Sequence, residues 1–277
     1  MDFYNETVMA CSKLITNRYS TSFSMGIKSL DKRYHAPIYA IYGFVRFADE
    51  IVDTFHNHNK AQLLERFTNE TYTAIAEGIS LNPVLQSFQL TVNKYKIEHE
   101  LIAAFLHSMA MDLELETTNQ NSYSEYIYGS AEVVGLMCLR VFCEGDEAEY
   151  QRLKEPGRRL GAAFQKVNFL RDMQSDFEER GRVYFPGANF HTFDLKTKQE
   201  IEADIKADFD AALEGIKQLP AGAKEGVYMA YIYYLALFQK IKKIKPERIL
   251  KERIRVPDFQ KLMLMGLSYA KLKANTL

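Results

Sequence analysis

Apolar positions along this 277-residue chain recur at three- and four-residue steps almost from end to end, the period of helices with one buried face. Alternating β-branched runs are scarce and no Asn-Gly hairpin turn occurs, so strands are not expected. The spacing predicts helices over 3–18, 33–56, 60–77, 83–95, 98–116, 123–143, 147–180, 197–218, 222–243 and 257–273. Between them stand helix-stopping combinations: Ser80-Leu81-Asn82-Pro83, Thr117 to Asn121, Glu144-Gly145-Asp146, Gly181 to Thr192, Leu219-Pro220-Ala221-Gly222 and Lys245-Pro246. Ser122 and Glu125 have capping-box spacing and would open the helix that follows. No fixed-period repeat, low-complexity tract or long linker divides the chain. The expectation is a single all-α domain over residues 1–277.

One stretch departs from the usual amphipathic pattern: QKVNFLRDMQSDFEERGRVYFP, Gln165 to Pro186. Gln165, Asn168, Asp172 and Asp176 follow at steps of three, four and four, which places them on one helix face. Arg171 lies beside them, and Val167, Leu170 and Met173 keep the flanks apolar. Two ionised carboxylates one turn apart repel by about 0.2–0.5 kcal/mol on an exposed helix, and by more when buried. A divalent cation would turn that cost into a binding site. Upstream, YAIYGFVRFADEIVDTF carries a second such stripe: Tyr42, Arg46, Asp49 and Asp53. Spacing alone is weak evidence, since Asp pairs four apart arise by chance about once in a chain of this composition. Asp204 and Asp208 have the spacing too, but within Lys- and Glu-rich EIEADIKADFD. They are expected to form a solvated face.

Tyr19-Ser20-Thr21-Ser22-Phe23-Ser24 is a hydroxyl-rich break between helices. It suits N-capping, and equally a loop holding phosphate oxygens. In EYIYGSAEVVGLMCLRVF, Tyr128, Ala131 and Gly135 would share a face whose small residues admit a neighbouring helix or a ligand. Met109, Met111 and Met263 to Met265 read as core or cavity filling, and the basic run from Lys240 to Arg255 as a solvated face or a cover for a polyanion. His35, His99 and His107 lack zinc-ligand spacing.

Bulk properties narrow the classes. A net charge of −1 and pI near 6.6 argue against nucleic acid as a partner. Seventeen Tyr and eighteen Phe, with no Trp, are many for a core alone and point to a lined cavity. Three cysteines without a CxxC pair suit a reducing, cytoplasmic setting. Neither a secretory signal nor an uninterrupted run of apolar residues long enough for a span is visible; the best candidate, Val133 to Cys143, is short and carries Arg140.

Taken together, Tyr42-x-x-x-Arg46-x-x-Asp49-x-x-x-Asp53, Tyr128-Gly129 with Gly135, Gln165-x-x-Asn168-x-x-Arg171-Asp172-x-x-x-Asp176 and Gly181-Arg182-Val183-Tyr184-Phe185-Pro186 resemble the squalene/phytoene synthase family, in pattern most like its bacterial phytoene synthases. The likeness runs from Ser20 to about Leu262. It implies an isoprenoid synthase fold: a helical bundle around a central cavity with the two acidic helices facing each other. It also implies head-to-head condensation of two prenyl diphosphates, here two geranylgeranyl diphosphates giving phytoene, without NADPH. Magnesium, or manganese in its place, would be held by Asp49, Asp53, Asn168, Asp172 and Asp176. The substrate contacts implied are Ser20, Ser22, Phe23, Arg46, Gln165, Asn168, Arg171, Arg182 and Tyr184, with Tyr42, Arg46, Tyr128, Arg171 and Tyr234 as catalytic groups. Glu132 departs from the small residue that relatives often carry, and the chain's SYAKLKANTL end lacks the apolar anchor of membrane-bound squalene synthases. Any membrane contact is therefore expected to be peripheral. The rival within the family is a squalene or dehydrosqualene synthase acting on farnesyl diphosphate. Head-to-tail synthases and terpene cyclases would favour DDxxD or other metal patterns, and a non-catalytic scaffold would have lost the carboxylates.

Overall fold

A computed structural model describes residues 1–114, 120–188, 190–251 and 253–254. Its helices are α1 (Asp2–Tyr19), α2 (Thr21–Lys28), α3 (Lys32–Asp53), α4 (Lys60–Glu77), α5 (Pro83–Tyr95), α6 (His99–Glu114), α7 (Gln120–Ile127), α8 (Val133–Cys143), α9 (Glu147–Arg180), α10 (Leu195–Gln218), α11 (Ala221–Lys242) and α12 (Pro246–Ile249). A π turn, Tyr128–Glu132, joins α7 to α8, and a short 3-10 turn, Phe190–Thr192, precedes α10. No strand occurs among the described residues.

Polar residues at the breaks set these boundaries. The side chains of Asp31, Asn59, Asn82, Asp146 and Asp194 accept hydrogen bonds from otherwise unpaired N–H groups in the first turns of α3, α4, α5, α9 and α10. α9 ends at Gly181, whose φ of 67° is the left-handed conformation glycine adopts at little cost.

Two short helices, α2 and α12, depart from the expected pattern. The Tyr19–Ser24 break narrows to Ser20 alone, extended at φ −145°, whose hydroxyl accepts from the Phe23 N–H at 3.2 Å. Ser22 and Phe23 lie inside α2. The expected capping box is not formed, because Ser122 falls within a helix already begun at Gln120, and Glu125 pairs with His107 at 3.2 Å. The helix expected over 257–273 lies outside the described residues.

The core is continuous. Phe44 of α3 stacks on Phe88 of α5 at 3.8 Å, with Phe67 and Phe105 at 5.5 and 5.4 Å. Each such buried ring contributes about 1.5–3 kcal/mol. α9 runs through the bundle, packed on α8, α10, α11 and the π turn. Gln120–Cys143 is long and apolar enough to cross a membrane, but it is mostly buried in the bundle against α6 and α9. Close approach there depends on glycine: a Cβ on Gly161 would sit 2.6 Å from the Ala131 carbonyl oxygen.

Candidate active site

A cavity of about 1120 Å³ opens between α2, α3, α6, the α7–α8 helix, α9 and α11. One end is polar and the other apolar. On the α3 wall stand Tyr42, Arg46, Asp49 and Asp53; on the α9 wall, Gln165, Asn168, Arg171, Asp172 and Asp176. Ser20, Ser22, Phe23, Tyr184 and Tyr234 line it too. The two acidic stripes thus line one cavity, the arrangement the family resemblance implied.

The stripes differ in charge environment. Burial pushes the Asp49 carboxyl up to about 7; Arg46 opposes this, and Asp53 and Asp112 add to it. Arg46 pairs with Glu50 and lies over the Tyr19 ring at 4.4 Å. On α9, Asp172 receives Arg171 at 2.5 Å and Arg253 at 2.8 Å. Asp176 is 8% exposed. Burial also pushes the Tyr42 hydroxyl up to about 12, so it is a proton-bearing dipole at neutral pH. Tyr234 stacks on Phe164 at 3.9 Å, and burial raises its pKa as well.

Three buried atoms on residues lining the cavity lack any hydrogen-bond partner: Nε of Arg46, a donor, Oδ1 of Asn168, an acceptor, and Oγ of Ser130, which can act as either. Each costs about 1–3 kcal/mol if left unsatisfied, and the Arg46 and Asn168 atoms at the polar end point to a ligand with oxygen atoms and a cation. Among the described residues no three His, Cys, Asp or Glu side chains lie close enough to hold an ion. A divalent ion placed here would have to share its shell with oxygens of a bound polyanion and water, as magnesium commonly does. The donor set of carboxylates and an amide oxygen fits that ion.

Tyr128 and Arg182 are not on the cavity wall. Tyr128 lies beneath the Arg158 guanidinium at 5.4 Å, and Arg158 also binds Glu132 at 2.6 Å. The cause is the π turn: the Val133 N–H reaches back five residues to the Tyr128 carbonyl. The wider turn rotates the face, so Tyr126, Ser130, Ala131, Val134 and Gly135 line the cavity instead. Arg182 is committed to Asp112 at 2.9 Å.

Asp112, Tyr126 and Arg253 were not anticipated as wall residues. Asp112 interrupts an apolar run, the signal that marked Asp172; Arg253 belongs to the basic run that could cover a polyanion. The solvated reading holds for Asp204, whose side chain is 55% exposed, and is corrected for Asp208, which is 1% exposed and bound to Lys166 at 2.6 Å and Arg159 at 3.1 Å.

A profile of the family described as squalene/phytoene synthase matches residues 16–260. The chain belongs to the squalene/phytoene synthase family. Members are prenyltransferase-type enzymes of isoprenoid and carotenoid biosynthesis acting on prenyl diphosphates. A phytoene synthase of Arthrospira platensis is 27% identical, covering 95% of this chain and 92% of that protein. A 4,4'-diapophytoene synthase of Staphylococcus haemolyticus is 26% identical, over 75% of this chain and 72% of the relative. Among solved structures, a dehydrosqualene synthase in complex with ligand superposes with a TM-score of 0.85 at 19% identity over 98% of both chains. Squalene synthase HpnC from Alicyclobacillus acidocaldarius gives 0.75 at 17% identity, over 86% and 94%. These two likenesses establish the isoprenoid synthase fold.

Proposed function

We propose that this family member is a phytoene synthase, joining two geranylgeranyl diphosphates head to head into a C40 hydrocarbon without a reductant. The observation that carries the reading is the cavity's length and polarity. Along α9 its wall runs from Asp172 to Leu153, about 28 Å at about 1.5 Å per residue. An extended five-carbon unit spans about 5 Å at ordinary bond lengths, so a C20 chain needs about 20 Å. The apolar end, with Leu30, Ile38, Phe142, Leu153 and Leu219, accommodates that chain.

Asp49, Asp53, Asn168, Asp172 and Asp176 would hold magnesium, or manganese in its place. Bound there with diphosphate, the ion would neutralise charge on the departing oxygen. Arg46 and Arg171 supply further fixed positive charge for the diphosphate. Departure of the first diphosphate leaves an allylic cation. The double bond of the second substrate attacks it, and loss of a proton gives a cyclopropylcarbinyl diphosphate. A second diphosphate then leaves, the carbon skeleton rearranges, and another proton is lost to give the central conjugated triene. The faces of Tyr42, Phe164 and Tyr234 steady positive charge while the enclosed cavity excludes water. Because Tyr42 keeps its proton, a released diphosphate is the better base.

The test is competition between C15 and C20 diphosphates at equal concentration with magnesium and no NADPH, with products identified by mass spectrometry. A C40 hydrocarbon is expected. A dominant C30 product, or strict dependence on NADPH, would overturn the assignment in favour of a farnesyl-using synthase.

A further inference from the structure

One buried carboxylate on the cavity wall, Asp112 of α6, takes no part in this reaction. Its side chain is 6% exposed. The Tyr126 hydroxyl donates to its Oδ2 at 2.7 Å, and Nη1 of Arg182 donates to its Oδ1 at 2.9 Å. Nη2 of Arg182 donates to the Asp112 backbone carbonyl, and the Tyr184 hydroxyl reaches Oδ1 at 3.3 Å. The guanidinium is therefore gripped at both the side chain and the main chain of one residue.

Where Arg182 is rooted gives this grip its meaning. It follows Gly181, which ends α9, and its backbone N–H donates to the carbonyl of Asp176 at 3.0 Å. Its side chain thus begins beside the second acidic stripe. Asp112 also lies near the first stripe, since its charge is felt at Asp49. A guanidinium is always charged and pairs readily with carboxylates. What one does when it reaches this cleft is already visible, for Arg253 lies 2.8 Å from Asp172.

We propose that Asp112 is a positioning residue that holds Arg182 off the cleft carboxylates, so that the arginine does not compete there with a divalent cation. The inference rests on the reading of the cleft as a site for a cation with diphosphate. It gives Arg182 a role opposite to a diphosphate contact: its charge is neutralised by Asp112, between α6 and the end of α9. Asp112→Asn keeps the shape and one acceptor but removes the charge that restrains Arg182.

The experiment titrates Mn²⁺ into the metal-free protein with inorganic pyrophosphate, following water-proton relaxation, and records the melting temperature of each variant. Asp112→Asn should raise the half-saturating Mn²⁺ concentration about tenfold, the usual cost of losing a partner just outside a metal shell. The double variant Asp112→Asn, Arg182→Gln should return it to within about twofold of wild type, because the competing cation is gone. A mere brace predicts the reverse, with the double variant bound as weakly as the single or more so. Unchanged Mn²⁺ binding in Asp112→Asn, or no recovery in the double variant, overturns the proposal. If Asp112→Asn does not fold, the double variant is read alone: wild-type affinity supports the proposal and weakened affinity refutes it. Arg182→Gln adds an independent arm, since a tenfold loss there would make Arg182 part of the ligand's own shell and refute the proposal. Failure of the wild-type protein to bind Mn²⁺ with pyrophosphate would instead remove the cleft reading, and this inference with it.

Discussion

Asp172 and Asp176 on α9 share their four-residue spacing with Asp204 and Asp208 on α10, a helix packed directly against α9. Their surroundings are opposite. The α9 pair borders the cavity, and Asp172 meets its cations, Arg171 and Arg253, at the cavity wall. Asp208 is shut between helices by Lys166 and Arg159, with Asp204 completing the cluster 2.5 Å from Lys166. Lys166 neighbours Gln165 in sequence, so α9 turns one polar face to the cavity and another to α10. The α10 cluster is part of what fixes that rotation. Spacing puts two carboxylates on one face; what lies opposite decides whether they form a site or a brace.

The largest effect should come from Asp172→Asn, which keeps shape and an acceptor but removes charge. Turnover per folded molecule should fall by about 10³-fold or more, equivalent to about 4 kcal/mol in the barrier. Wild-type kcat in the Asp172→Asn enzyme would erase the distinction between the two pairs. Asp208→Ala should behave in the opposite way. It removes the buried acceptor that Lys166 and Arg159 share, leaving Lys166 with Asp204 and Arg159 with Glu155, and should cost about 1.5–3 kcal/mol in unfolding free energy by denaturant titration, with turnover per folded molecule largely kept.

Asp49 differs from both pairs, because burial outweighs its neighbouring arginine. Its folded pKa, about 7, lies above the unfolded value of roughly 3.9. An acid raised in the fold binds protons more tightly when folded, so stability is lost as pH rises between those values. The metal-free protein should lose on the order of 3 kcal/mol from about pH 4 to 7 through this group. Asp49→Asn should flatten that part of the profile, and magnesium with pyrophosphate should raise the melting temperature at neutral pH by mass action. An unchanged profile in Asp49→Asn would show that the two stripes do not differ in this respect. The smallest effect is expected of Asp204→Ala. Its side chain is 55% exposed and Asp208 remains to pair Lys166, so a loss below about 1 kcal/mol should be measured.

Most helices and both acidic stripes were legible in the sequence, because a period of 3.6 and a stop residue are local properties. Asp49 and Asp172 stood out as acids on helices too apolar for the surface. The same logic applied to Asp112 within LIAAFLHSMAMDL, where the methionines drew the reading toward packing. Asp208 misled because its neighbours in sequence are charged, whereas its burial is made by Lys166 and Arg159 on another helix. Arg253 reaches Asp172 across 81 positions of chain, and no local pattern announces such a meeting. α2 was hidden because one extended residue, Ser20, suffices to separate it from α1.

The π turn at Tyr128–Glu132 has a consequence for ancestry. A π turn is how a helix accommodates an inserted residue without breaking, by taking up the extra length in one widened turn. Residue-by-residue alignment of this helix with an uninterrupted one would then require a gap inside a helix, where gaps are ordinarily penalised. Placing that gap a few positions away would exchange Tyr128 for Tyr126 as the aromatic on the cavity wall. Glu132, at the end of the same turn, is held there by Arg158 at 2.6 Å.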